Sequence, residues 1–278
     1  MIFPSFHTAQ VMAIVNVTDD SFYAASRMQS LQALEQRIAD VVAQGATIID
    51  IGGYSSRPGA TDISVEQEWE RVDMGVAAAR RVAPCVAVSV DTFRAEIVRR
   101  TVANYGAVIV NDITAGEGDE AMFDTVAEMG VPYVAMHMRG TPQTMQSKTE
   151  YADVVADVVN YLTSRAAELE RRGVDRDNII LDPGFGFAKS VEQNYALLAG
   201  LHHLCSKGYA VLAGLSRKSM IYKVLDSSPE QSLAGTVALN WEALRQGATI
   251  LRVHDVREAA EIVKIYRIYK DDKVFRDL

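Results

Sequence analysis

Two cysteines in 278 residues are too few for a disulfide framework, and Cys85 and Cys205 show no metal-ligand spacing. Such usage points to a reducing compartment. Proline is scarce too, at seven residues, and no Pro/Gly/Ser-rich linker divides the chain, so we expect one domain over residues 1–278. No apolar run approaches the ~18 residues of a membrane span. The opening MIFPSFHTAQ lacks the cationic and apolar stretches of a secretion signal. Positive charge is also short: 28 Lys+Arg stand against 36 Asp+Glu, a net charge of -8, so nothing draws the molecule toward a polyanionic backbone. The expectation is a soluble cytoplasmic protein that binds neither nucleic acid nor membrane.

What the chain does have is an ordinary globular composition, 49% hydrophobic and 23% charged, enough to bury a sizeable core. Eight short apolar runs alternate with longer helical patterns. The runs are Val11–Val17, Thr47–Ile51, Val86–Val90, Val108–Val110, Tyr133–Met138, Ile179–Leu181, Ala210–Leu215 and Ile250–Val253. Helical spacing joins Leu31, Leu34, Ile38, Val41 and Val42 on one face; Val65, Trp69, Val72 and Val76 on a second; and Leu233, Val237, Trp241 and Leu244 on a third. Gly45, Gly106 and Gly247 each precede an apolar run, where a helix needs a left-handed stop, and Gly130, Gly173 and Gly208 punctuate more loosely. Strands this apolar must be covered on both faces. The pattern therefore predicts a single (β/α)8 barrel of the α/β class, with a doubly wound open sheet as the competing arrangement.

In either fold the reactive surface lies at the C-terminal strand ends. Those ends carry Asn16, Asp50, Asp91, Asn111-Asp112, His137, Asp182, Ser216-Arg217-Lys218 and Arg252-Val253-His254-Asp255. Taken singly, most have a plain explanation. An Asp after a strand commonly caps a helix or forms a turn, a reading open to Asp112, Asp255 and Asp50. His137, between two methionines, reads as a buried, satisfied histidine before a catalytic one. Capping and turn formation do not explain the combination. Asn16, Asp91, Asn111 and Asp182 make an acceptor-rich patch suited to a flat heterocycle with several N–H donors. Lys218, Arg252 and His254 come from the last two strands, where such barrels commonly bind phosphate. Ser219 opens a helix beside Lys218 that could receive an anion.

Eight segments in this order resemble the dihydropteroate synthases, the folate-pathway enzymes targeted by sulfonamides. They are Asn16-Val17-Thr18 with Asp20-Ser21-Phe22; Asp50-Ile51-Gly52-Gly53 with Ser55-Ser56-Arg57-Pro58-Gly59; Ser89-Val90-Asp91-Thr92; Asn111-Asp112-Ile113; Met136-His137-Met138 through Thr144-Met145-Gln146; Leu181-Asp182-Pro183-Gly184-Phe185-Gly186-Phe187; Ser216-Arg217-Lys218-Ser219; and Arg252-Val253-His254-Asp255. The resemblance implies a homodimeric (β/α)8 transferase. It would join para-aminobenzoate to 6-hydroxymethyl-7,8-dihydropterin pyrophosphate, giving 7,8-dihydropteroate and pyrophosphate. Carried over residue by residue, it implies pterin binding by Asp91, Asn111, Asp182 and Lys218. Pyrophosphate would meet Asn16, Ser56, Arg57, Arg252 and His254, with Asn16 also near a magnesium ion. Aminobenzoate would meet Arg57, Pro58, Phe187, Lys218 and Ser219. Catalysis would draw on Asp91, Asp182, Lys218, Arg252 and His254, through SN1-like C–O cleavage with magnesium-assisted pyrophosphate departure.

Some positions depart from the family pattern. Asp19 stands where the first loop usually has Pro, Ala24-Ala25 where it continues Asp-Gly, Tyr54 for a common Glu, Ser56 for a common Thr and Ala188 for a common Gly. Two other readings share part of the pattern. A pterin-binding methyltransferase barrel would use the acidic pocket without pyrophosphate ligands, and a non-catalytic pterin-binding paralogue would explain the altered first loop.

Overall fold

The computed structural model describes residues 3–17, 27–55, 61–141 and 143–270, and the side chains of residues 27–30 and 146 are outside that description. Eight parallel strands close into a barrel in sequence order. They are β1 (Gln10–Asn16), β2 (Ile48–Gly52), β3 (Ala87–Asp91), β4 (Ile109–Asp112), β5 (Tyr133–Met136), β6 (Ile179–Asp182), β7 (Ala210–Ala213) and β8 (Ile250–Val253). Strand β8 returns to β1, pairing Arg252 with Met12. Each of the eight apolar runs forms one of these strands. The open sheet is excluded, because every strand has two neighbours.

Helices separate the strands: α1 (Arg27–Ala43), α2 (Val65–Val82), α3 (Ala95–Tyr105), α4 (Met122–Met129), α5 (Val154–Arg171), α6 (Val191–Ala199), α7 (Leu201–Cys205), α8 (Ser219–Tyr222), α9 (Leu233–Arg245) and α10 (Val256–Lys270). Reciprocal capping boxes start α2 at Ser64 with Gln67 and α6 at Ser190 with Gln193. Gly45 has φ of 109°, and a Cβ there would come within 2.9 Å of the Ala260 Cβ, so this stop needs glycine twice over. The first two helix faces pack as their spacing predicts, with Leu34, Ile38, Val41, Val72 and Val76 buried. The third is displaced. The buried residues of α9 are Thr236, Asn240, Ala243 and Leu244, while Trp241 packs edge-on against Tyr266 and Tyr269 of α10. Val237 and Trp241 sit at the edge of that stripe, half-buried against the core, and Trp241 also covers the seam with α10.

Side chains on a strand alternate between faces, and the core divides accordingly. Met12, Ile48, Ala87, Ile109, Val134, Ile180, Leu212 and Ile250 fill the barrel floor, with Phe6 below them. Their neighbours Ala13, Ile49, Val88, Val110, Ala135, Leu181, Val211 and Leu251 join the outer core with the helices. Two residues beyond the floor, the same inward parity holds Ile14, Asp50, Ser89, Asn111, Met136, Asp182 and Arg252. The fold thus puts an apolar floor directly beneath a polar mouth.

Candidate active site

Strand register sets the first part of the site. Asn16 pairs with Gly52, Gly52 with Asp91 and Asp91 with Asn111, so these four residues run round the rim at one level. Beneath them the Arg252 guanidinium crosses the barrel, donating from Nε to Asp50 Oδ2 at 2.7 Å and from Nη2 to Asp91 Oδ2 at 2.8 Å. Asn111 Nδ2 donates to the same Asp50 oxygen at 3.1 Å. Burial pushes the Asp91 pKa up and Asp50 adds to that, while Arg252 pulls it down. Burial pushes the Arg252 pKa down, but Asp50 and Asp91 outweigh it and hold the guanidinium charged.

Asp50 therefore corrects the sequence reading, which allowed it to be a cap or turn former. Its side chain is wholly buried inside the barrel as a partner of Arg252. Asp112 does behave as a turn former: it accepts from the Thr114 and Gly116 amides at 2.7 and 2.8 Å and from the Tyr133 hydroxyl at 2.6 Å. The difference is parity, since Asp112 points outward from its strand and Asp50 inward.

The second part lies across the mouth, on β6 and β7. Asp182 ends β6 almost fully buried and accepts from the Gly184 amide at 2.8 Å. Burial raises its pKa and the Lys218 charge opposes the rise. Lys218 Nζ donates to the Phe185 carbonyl and lies 4.9 Å from the centre of the Phe187 ring. Its pKa is lowered by burial to about 8, with Asp182 resisting. Phe187 joins Ile113, Met136, Met138, Met145 and Phe93 in an apolar wall beside these charges. Gly184 has φ of 68°, and a Cβ there would lie 2.0 Å from the His137 carbonyl oxygen, so only glycine lets the chain turn back so close to β5.

Beside β8, His254 stands exposed at the rim with Nδ1 3.2 Å from Ser216 Oγ. Arg217 donates to both oxygens of Asp255, at 3.0 and 2.6 Å, tying the loop after β7 to the start of α10. Asp255 is thus more than the cap the sequence suggested. Ser219 does begin a helix after Lys218, but α8 is a single turn of four residues. That length is too short for a helix dipole to attract an anion, so Lys218 carries the charge there. His137 follows the plainer reading: it is buried, with its ring edge-on to Tyr161 at 5.1 Å and Nδ1 3.0 Å from Lys189 Nζ. Ser56, Arg57 and Pro58, and the first-loop positions Asp19, Ala24 and Ala25, lie outside the described residues.

Two residues with no place in the sequence reading support the mouth from behind. Glu68 of α2, with no exposed surface, accepts from Thr92 Oγ1 at 2.6 Å and Arg94 Nη1 at 2.9 Å. It thereby fixes the residue after Asp91. Arg94 also donates to the Ile63 carbonyl at 2.7 Å. The signal was available, because Glu68 falls three residues after Val65 and four before Val72 on the buried stripe. The other is Lys189, a lysine just 5% exposed. Nothing in its local sequence marks it.

A parallel barrel with acids, an amide and cations converging on one mouth is the layout of an enzyme acting on a polar, anionic small molecule. A family model described as pterin binding enzyme matches residues 12–254. The dihydropteroate synthase of Haemophilus influenzae is 43% identical over 258 residues, 93% of this chain and 93% of that protein. That of Escherichia coli K12 is 43% identical over 256 residues, 92% and 89% of the respective chains. A Xanthomonas albilineans dihydropteroate synthase solved with 7,8-dihydropteroate superposes with a TM-score of 0.84 at 36% identity, covering 96% of each chain. One solved with 4-aminobenzoic acid gives a TM-score of 0.86 at 39% identity, covering 96% of this chain and 94% of that one. The chain belongs to the dihydropteroate synthase family of pterin binding enzymes.

Proposed function

We propose that this protein condenses para-aminobenzoate with 6-hydroxymethyl-7,8-dihydropterin pyrophosphate, releasing 7,8-dihydropteroate and pyrophosphate. The observation that carries the reading is the convergence of Asp91, Asn111, Asp182, Lys218 and Arg252 on one mouth above an apolar floor. In this reading Asp91, Asn111 and Asp182 accept from the ring amino and N–H groups of the pterin, and Lys218 donates to its acceptors. Buried acceptors of this kind are left unpaired by a ring that lacks those donors, which makes the pocket selective.

Arg252, His254 and Asn16 would take the diphosphate, together with Ser56 and Arg57. The C–O bond breaks with its electron pair passing to the diphosphate oxygen, whose growing charge Arg252 stabilises. Positive charge developing on the exocyclic methylene is tolerated by the electron-rich pterin and the nearby carboxylates. The aniline nitrogen then forms the C–N bond with its lone pair and loses a proton to solvent, so no side chain is required as a general base. Phe187, Lys218, Ser219 and Pro58 would line the aminobenzoate side.

The donor set also suits magnesium. Among the described residues no cluster of three acids, histidines or cysteines forms a metal cage, and magnesium is commonly held by few protein oxygens together with substrate phosphates and water. Asn16 offers such an oxygen: a Cβ at Gly52 would come within 3.1 Å of its Oδ1 and 3.7 Å of the Asp91 Cβ, so glycine keeps that space open. Magnesium bound there with the diphosphate would add positive charge to the leaving group. The family resemblance further implies a homodimer, and sedimentation at the monomer mass would contradict it. Among the described residues no helix is long and apolar enough to cross a membrane; the cytoplasmic location we propose rests on the cysteine usage of the sequence.

The test is turnover. Purified protein with magnesium, the pterin pyrophosphate and labelled para-aminobenzoate should yield labelled dihydropteroate and one pyrophosphate per product. Pterin binding without either product would reject the synthase reading and favour a binding protein. Methyl transfer from methyltetrahydrofolate would favour the methyltransferase barrel.

A further inference from the structure

The mechanism above makes no use of Lys189, yet burying an ammonium is costly unless its donors are satisfied. All three are. Nζ donates to the Gly184 carbonyl at 3.0 Å and to the Phe187 carbonyl at 3.0 Å, and it lies 3.0 Å from His137 Nδ1. Burial and the Lys189 charge lower the His137 pKa to about 3, so the ring is neutral and Nδ1 offers its lone pair, with the ring proton on Nε2.

These contacts converge on the loop that leaves β6. Gly184, Gly186 and Ala188 have φ of 68°, 80° and 51°, three left-handed residues within five. For Ala188 that conformation costs roughly 1 kcal/mol, so the surroundings must enforce the turn. Lys189 holds the carbonyls of residues 184 and 187 from behind the mouth. Lys218 holds the carbonyl of Phe185, between them, from within it. Asn194 secures the remaining edge, accepting from the Gly186 amide at 2.7 Å and donating to the Ser190 carbonyl at 2.6 Å. Lys189 bonds to no side chain that the synthase reading places on a substrate. The loop it fixes carries such side chains: it starts at Asp182 and bears Phe187, whose ring lies 4.9 Å from Lys218 Nζ.

We infer that Lys189 is a positioning residue for the aminobenzoate side of the site, holding the loop so that Phe187 and Lys218 keep their facing arrangement. The inference rests on the synthase reading for its kinetic arm and on the loop geometry alone for its structural arm. Lys189→Met keeps the length and removes all three donors. Lys189→Gln retains two and is read if the methionine variant fails to fold. Steady-state kinetics of a folded variant should show KM for para-aminobenzoate raised about tenfold for Met, and less for Gln. The KM for pterin pyrophosphate should rise less, because Asp91 and Asn111 stand on strands the loop does not hold, and kcat should stay within about threefold. General loss of structure would move all three parameters together.

Hydrogen exchange followed by mass spectrometry supplies the arm independent of activity, with amides of residues 184–188 losing at least tenfold protection in the variants while the β-strands keep theirs. An unchanged aminobenzoate KM together with unchanged loop protection in a folded variant would overturn the inference. Should the wild type form no dihydropteroate, the synthase reading fails, and the exchange result still decides whether Lys189 holds the loop.

Discussion

The two sides of the barrel mouth manage buried charge in different ways. On the β2, β3 and β8 side, charges answer one another directly: Arg252 bridges Asp50 and Asp91, and Asn111 joins through Asp50. Every member stands on a strand, so the barrel register itself sets their spacing. On the β6 and β7 side, charges are answered by backbone: Lys218 by the Phe185 carbonyl, Lys189 by those of Gly184 and Phe187, and Asp182 by the Gly184 amide. Geometry there depends on a loop. The strand-borne side suits fixed recognition and charge stabilisation, whereas on the loop-borne side the grip of Asp182 and Lys218 on the pterin and the fit of the second substrate both depend on how the loop is held.

The sharpest way to break this comparison is Arg252→Ala. It removes the cation of the strand-borne side and leaves Asp50 buried without it. Turnover should fall by roughly 10²–10³-fold, and urea denaturation should show a stability loss of about 3 kcal/mol. A variant retaining turnover within tenfold would remove Arg252 from the leaving-group role. Next in size, Asp50→Asn should reduce kcat/KM by about tenfold, because Arg252 loses one of two charged partners. Asp112→Asn is its outward-facing counterpart. It should leave kcat/KM within about twofold while costing about 1–2 kcal/mol from the turn and the Tyr133 bond. If the two substitutions affected turnover equally, strand parity would not separate site from scaffold.

The smallest effect concerns pH. The buried His137 refuses the proton that the unfolded chain accepts, since its pKa falls from 6.5 to about 3 on folding. Its neutral form is matched between the folded and unfolded states above that ordinary value. As the pH drops through the interval, the unfolded state binds the extra proton, and stability declines by a slope approaching roughly 1.4 kcal/mol per pH unit. Denaturation of wild type and His137→Asn between pH 7 and 5 should show that the variant lacks this part of the slope. Parallel curves would mean that the ring is protonated in the folded protein.

Much of this was legible in the sequence, for identifiable reasons. Strand positions followed from apolar runs punctuated by glycines such as Gly45, whose left-handed φ leaves few alternatives. Asp91, Asn111 and Asp182 stand out because each directly follows such a run, and Arg252 because it is the one charge inside the last of them. Asp50 was misjudged by treating all acids near strand ends alike. Counting in twos from Ile48 places it inside, as counting from Ile109 places Asp112 outside. The displaced face of α9 had a different cause: Trp241 answers to Tyr266 and Tyr269, residues far along the chain. Lys189 was not legible. Its partners are two backbone carbonyls and a histidine just past β5, and backbone direction leaves no trace in residue type.

The central claim is that inward-facing acids at the mouth grip a pterin ring. Calorimetric titration of 6-hydroxymethyl-7,8-dihydropterin, which lacks the diphosphate, into wild type and Asp182→Asn tests it without turnover, magnesium or the second substrate. The account predicts binding to the wild type and an affinity at least about tenfold weaker in the variant, the scale of one lost charged hydrogen bond. Equal affinities, or no binding by a folded wild type, would contradict it.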